Sequence, residues 1–262
     1  MKTVDPKDMA RLSEKRLEEN GVFSFKCHSG LSCFNLCCRN LNLFLNPYDA
    51  LRLKTRLGVS SGEFIDRHVD VVLRKSNFFP DVLLKMSEND EKTCPFLKES
   101  GCGVYEDRPD TCRFFPMERG ALYEKGKKKP RIIRFFNPPD FCRGRHEKTQ
   151  WTPEGWAEDQ DGILHEEMTL LWAEVKALFS QNPWKTGSAN GPRGKMAFMA
   201  AYNIDAFKAF VLDSSFLKRF KVKGSVLKKI KRDDDALLKF GFEWIRFFVW
   251  GVQTKNIVPK RK

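Results

Sequence analysis

Cysteine is the residue type whose number and placement in this 262-residue chain point to chemistry. There are eight: Cys27, Cys33, Cys37, Cys38, Cys94, Cys102, Cys112 and Cys142. All lie before residue 143, and the last 120 residues contain none. A random scatter would rarely avoid nearly half a chain, so the set belongs to one structural unit. It is too sparse for a disulfide scaffold, in which cysteine exceeds about 8–10% of a short secreted chain. The first twenty residues carry charges throughout and show no secretory signal pattern. The expected compartment is therefore the reducing cytoplasm, where such clusters mean metal binding or catalysis rather than disulfides.

Spacing narrows the metal families. The chain holds no C-x-x-C, which removes the thioredoxin motif, zinc ribbons, most zinc knuckles and the bacterial ferredoxin run. A radical-SAM C-x3-C-x2-C also fails, because Cys33-x3-Cys37 is followed by Asn40 at the third position. What remains is Cys27-x5-Cys33-x3-Cys37-Cys38, then Cys94-x7-Cys102-x9-Cys112, then Cys142. On a helix Cys33 and Cys37 would share a face, whereas adjacent Cys37 and Cys38 point in different directions. The pair thus implies two centres side by side, a polynuclear cluster, or one packed or redox-active spare. Arg39, Arg113 and Arg143 each follow a cysteine directly, Lys26 precedes one, and Arg108 and Arg145 lie close by. Cations favour thiolates, and four thiolates around Zn²⁺ or a [4Fe–4S]²⁺ core remain net negative. His28 and His146 neighbour Cys27 and Cys142 as substitute ligands, although a surface or orienting role is the simpler expectation. His68 and His165 fall on predicted helices and read as ordinary.

The segment Cys102-Gly-Val-Tyr105-Glu-Asp-Arg108-Pro109-Asp-Thr-Cys112-Arg113-Phe-Phe-Pro116, with the eight cysteines and the Cys-Cys pair, resembles the YkgJ-like cysteine-cluster proteins. The resemblance spans roughly residues 22–145 and implies zinc or iron chelation. The first run departs from the family's tighter pattern near C-x2/3-C-x2-C-C, which sets Cys27 apart. A similar cluster in flagellin lysine N-methylases is linked to an iron–sulfur centre. No G-x-G-x-x-G follows a strand here, so only the cluster carries over. Read physically, Pro109 opens a short turn that places Cys112 near its positive end, and Pro116 stops that turn. Tyr105 and Phe114 are expected to shield the centre from water.

The elements around the cysteines follow from local signals. A charged helix is expected over residues 1–20, closed by Asn20-Gly21. Asn46, Pro47 and Asp49 start a helix carrying Leu51, Leu53 and Leu57, and Gly58 ends it. Ser60 and Glu63 form a capping box for a second, bearing Phe64, Ile65 and Val69. Alternation predicts strands over Val69–Leu73 and Val82–Met86, and β-branched and aromatic content predicts another over Arg131–Phe136. Glu147–Pro153 reads as a linker. Thr152 and Pro153 then open a helix whose Leu164, Met168, Leu171, Val175 and Leu178 share a face, with Pro183 beyond it. Pro183–Gly194 reads as a loop. Met199–Phe216 and Asp233–Trp250 supply two more helical regions, their aromatics forming core, and Lys255–Lys262 reads as a frayed basic tail.

These signals give an α+β fold, predominantly α: an irregular Cys-rich metal-binding region with a few short strands, followed by a helical C-terminal half. The expected divisions are an N-terminal helical extension (1–21), a Cys-rich domain (22–146) and a helical region (147–262) with its basic tail (255–262). A hydrophobic fraction of 41% with 23 Phe excludes a disordered chain. No uncharged apolar run nears the ~20 residues of a membrane helix. All eight cysteines are candidate metal ligands, with an iron–sulfur cluster favoured over Zn²⁺. The favoured role is electron transfer or service to a modifying enzyme, with a protein or small-molecule partner. The alternatives are structural zinc at one or two four-cysteine sites, or a basic module binding nucleic acid or another anionic partner. That last rests on net charge +13 and on Lys125–Lys129 and Lys260–Lys262. No Ser/His/Asp set, carboxylate pair or phosphate loop marks an enzyme.

Overall fold

The protein is described by a computed structural model over residues 2–3, 13–18, 20–74, 77–123, 130–184 and 187–260. Helix, 3-10 turns included, takes up 46% of it and strand 17%, which makes the fold α+β with helix dominant. The chain forms two compact units, interleaved in sequence. Unit 1 comprises Met1–Leu43 and Lys85–Glu174, and unit 2 comprises Phe44–Leu84 and Val175–Lys262. All eight cysteines lie in unit 1, and residue 146, the expected boundary, falls inside it.

Unit 1 is built on a hairpin. Met117–Leu122 pairs antiparallel with Arg131–Phe136, Met117 opposite Phe136 and Leu122 opposite Arg131. Arg16–Leu17 adds antiparallel to the outer edge of Arg131–Phe136, and Lys2–Thr3 adds parallel to Met117–Leu122. This corrects the expected N-terminal helix: Lys2–Thr3 and Arg16–Leu17 are strand, and Ser13–Lys15 is a single 3-10 turn. Residues 4–12, Asp8 and Arg11 included, and Glu19 lie outside the described residues, as do residues 125–129 and 261–262 of the two basic runs. The expected linker is also structural. Gln150–Trp151 pairs antiparallel with Phe23–Ser24, and the Trp151 indole donates to the Phe25 carbonyl at 2.8 Å. These contacts close an aromatic core of Phe23, Phe25, Phe114, Met117 and Trp156, in which Cys142 is buried. Phe23, Phe25 and Trp151 all meet Trp156 edge-on, at 6.2, 5.5 and 5.2 Å between ring centroids.

The helix expected from Thr152 onward is broken. Thr152 caps Pro153–Asp159 by accepting from the Gly155 N–H. Asp161 then takes φ 51°, and Ile163–Leu178 starts anew. Gly162 permits the break to pack, because a Cβ there would stand 2.4 Å from the Phe114 ring. The second helix buries Met168 and Val175 as the pattern demanded, but Leu164 is 37% exposed while His165 and Thr169 are buried.

Unit 2 is mostly helical, and its local signals hold. Asn46 and Asp49 form a capping box on Pro47–Leu57, which ends at Gly58 with φ 68°. Ser60 caps Ser61–His68. Val69–Val72 and Asp81–Leu84 form an antiparallel pair, Val69 opposite Leu84. The expected Met199–Phe216 region is three helices, Pro192–Tyr202, Ile204–Asp213 and Phe216–Arg219. Asp233 caps Asp234–Trp250 and Gly251 closes it. Ala197 and Ala200 on one helix and Gly241 on the other let Pro192–Tyr202 and Asp234–Trp250 approach closely; a Cβ at Gly241 would lie 2.2 Å from the Ala200 carbonyl. The tail expected to fray instead carries a strand, Ile257–Pro259, paired with Phe220–Val222.

Candidate metal centre

The chain around the cysteines is held by turns and by bonds between distant segments. Tight turns carry residues 28–38, with Leu36–Cys38 a 3-10 turn, so Cys33 and Cys37 do not lie on an α-helix. The Cys94 N–H donates to the Cys38 carbonyl at 2.8 Å, and Arg39 bridges Thr93. Leu97–Lys98 pairs antiparallel with Gly101–Cys102, placing Leu97 opposite Cys102. Farther along, the Lys26 N–H donates to the Gly144 carbonyl at 3.1 Å, next to Cys27 and Cys142. The Arg143 N–H points at the Cys33 sulfur, also at 3.1 Å. Cys112 sits in Asp110–Phe114, a five-residue helix opened by Pro109. The chain leaves it through a cis Phe115–Pro116 bond.

These links bring the thiols into one another's electrostatic field. Burial pushes Cys27 up, and so do Cys142, Cys33 and Cys38. Burial raises Cys94 to about 11; the Phe96 N–H opposes this, and Cys38 and Cys102 add to it. Cys102 is raised by burial and Cys38 against the Val104 N–H and Arg108. Cys142 is raised by burial and Cys33 against the Gly144 N–H and Arg145. The adjacent Cys37 and Cys38 perturb each other most strongly, Cys37 drawn down and Cys38 sent well up. Burial, Cys112, Cys27 and Cys142 work against the Cys37 shift. Among the described residues no cysteine is joined in a disulfide. Equally, no three His, Cys, Asp or Glu side chains among them are arranged to hold a single ion.

The donor set fits a thiophilic metal centre. Soft sulfurs from distant segments lie together in unit 1, Cys33 and Cys142 buried and Cys27 exposed, and a bound cation would offset the cost of ionising them near one another. Backbone N–H groups of Arg143, Phe96, Val104 and Gly144 already face sulfur, the arrangement that steadies bound thiolates. Arg39, Arg108 and Arg145 each lower a neighbouring thiol, as their positions in sequence suggested. Arg113 acts on the backbone instead. Only 2% exposed, it donates to the Gln160 and Glu106 carbonyls and ties the Cys112 turn to the next helix. Tyr105 is 53% exposed and stacks under Arg108, so of the two expected shields only Phe114 is buried. His28 accepts from the Gly30 N–H and lies 3.8 Å from Glu147.

Sequence reasoning missed the ionic frame behind Cys112. Burial would keep Asp110 neutral, but Arg119 at 2.5 Å holds its carboxyl below the usual range. Arg119 also meets Glu166 at 3.0 Å, and Glu166 meets Arg134 at 2.9 Å. Asp110 lies inside the Arg-Pro-x-x-Cys string, yet nothing in sequence announces partners up to 56 residues away.

Comparison with curated proteins and with solved structures gave no match. A family model named CxxCxxCC and described as a putative zinc- or iron-chelating domain matches residues 26–154, which include all eight cysteines and the 44–84 segment of unit 2. Residues 26–154 thus match the model of this family of putative zinc- or iron-chelating domains, in line with the resemblance carried by the cysteines.

Proposed function

We propose that unit 1 binds an iron–sulfur cluster through cysteine thiolates and serves electron transfer or a modifying enzyme. The observation that carries this reading is that bonds between remote positions tie the cysteine-bearing stretches together: the Cys94 N–H to the Cys38 carbonyl, the Arg143 N–H to the Cys33 sulfur, and Cys142 in one core with Phe114, two residues past Cys112. Soft donors in this number suit iron–sulfur chemistry. The N–H groups directed at sulfur would set the potential of a bound cluster. Anaerobic purification with metal and sulfide analysis tests the proposal. A brown protein containing iron and acid-labile sulfide supports it. A colourless protein with stoichiometric zinc replaces it with structural zinc. A metal-free protein that takes up neither iron nor zinc overturns metal binding altogether.

A further inference from the structure

In unit 2 the strand Val69–Val72 leaves one edge open. Among the described residues its only strand partner is Asp81–Leu84, with Val71 opposite Val82. The Leu45 N–H donates to the Val82 carbonyl at 2.8 Å, so the Val82 peptide groups face Phe44–Leu45 and not Val71. In antiparallel pairing a residue's N–H and C=O point to one side, and the sides alternate along the strand. Val71 therefore turns both groups outward, where no described residue pairs with them. Proteins blunt such edges with charge, proline or a covering segment. Here Val71, Val72 and Leu73 are exposed in succession, and the one charge of the strand, Asp70, shares the face of Val72. Val71 and Leu73 share the other face. They line a groove of about 470 Å³ with Pro80 and with Lys195, Phe198 and Met199 of the helix Pro192–Tyr202. Lys195 is exposed, and among the described residues no carboxylate pairs with it. Its helix has no acidic residue in the first turn, so the positive helix end adds to the Lys195 charge.

We propose that this edge and groove dock an extended acidic segment of a partner protein, which adds as a third strand beside Val69–Val72, seats an apolar side chain against Phe198 and Met199, and sets a carboxylate on Lys195. Main-chain bonds to Val71 supply the hold, and the groove and Lys195 supply the choice of side chains, the division of labour found wherever a peptide extends a sheet. A chain of net charge +13 also draws acidic partners. A second copy of this chain fits less well. Its open edge would set odd-numbered residues opposite Val71, which keeps its Asp70 off the groove face and leaves Lys195 unmatched. The docking face lies wholly in unit 2 and needs no metal.

Fluorescence anisotropy of the full chain with a panel of labelled hexapeptides tests the proposal. The peptides alternate Val, Ile, Leu or Phe with Thr, and each ends in either Glu or Lys. Members ending in Glu should bind, and the Val71 amide should gain exchange protection in their presence, read by NMR. Val71→Pro removes an N–H that faces outward, so it should abolish binding while the circular dichroism spectrum stays that of the wild type. Lys195→Glu should weaken the Glu-ended members by about fivefold and turn the preference to the Lys-ended ones. Should Val71→Pro fail to fold, the preference of Lys195→Glu decides alone. No binding by any member, binding that survives Val71→Pro, or equal affinity for the two endings overturns the proposal. Self-association of the wild-type chain that is lost in Val71→Pro gives the edge to a second copy and overturns it as well.

Discussion

Unit 2 buries Phe207, Val211, Leu237 and Ile245 completely, on helices whose starts and stops are written in neighbouring residues. Unit 1 has its own aromatic core around Trp156, but its cysteine segments are turns and two-residue strands pinned by bonds between remote positions. An apolar helical core is self-sufficient once its faces are paired, since each fully buried Leu, Ile or Phe contributes roughly 1.5–3 kcal/mol. Irregular chain lined with soft thiols is the kind that metal ligation organises. On the proposed reading, metal dependence falls in unit 1 and metal-independent stability in unit 2.

The contrast breaks most visibly on chelation. Stripping metal under reducing conditions should remove amide-exchange protection from Cys27–Cys38 and Cys94–Cys112 while the Asp234–Trp250 helix keeps its own; structural sites of this kind are worth about 10 kcal/mol or more. Uniform loss across both units would erase the distinction. The reciprocal experiment is Phe207→Ala, which empties a fully buried position and should destabilise unit 2 by about 3–5 kcal/mol in denaturant titration, with metal per chain unchanged. Within unit 1, Arg113→Met strands the Gln160 and Glu106 carbonyls and should cost about 2–3 kcal/mol. That variant should also weaken metal retention, read by competition with a chelator, because the turn holding Cys112 loosens.

The smallest effect is a pH response confined to unit 2. Burial would raise Asp205, but the Ser61 N–H, the Ser61 hydroxyl and Lys54 at 2.9 Å hold its carboxyl below the usual range. A carboxyl depressed in the folded state stabilises above its unfolded value of about 3.9, and that contribution is lost as pH falls through the folded value. At 39% exposure, solvent screening limits it to less than about 1 kcal/mol. Asp205→Asn should therefore lower stability slightly at pH 7 and leave it unchanged at pH 2, measured by the thermal midpoint.

What could be read from sequence divides along the same line. Asn46, Asp49, Gly58, Ser60, Asp233 and Gly251 act within a turn of their own helix, so their roles are local and legible. Strand Arg131–Phe136 was legible from its β-branched and aromatic content, but its partner Met117–Leu122, with Gly120 and two charges, was not. The cysteines announced themselves by type and clustering. Their grouping did not, because it depends on bonds such as Arg143 to Cys33, 110 residues apart. The backbone around Cys37 and Cys38 was not legible either: it is neither helix nor strand, since Cys38 closes a 3-10 turn and Arg39 turns extended. Likewise Pro259 reads as frayed tail until Phe220 is placed opposite it.

The central claim is that sulfur from these distant segments is what the metal sees, and X-ray absorption at the metal edge of the anaerobically purified protein tests it most directly. The account predicts a first shell dominated by sulfur at about 2.3 Å. A shell made chiefly of nitrogen or oxygen at about 2.0–2.1 Å would contradict it.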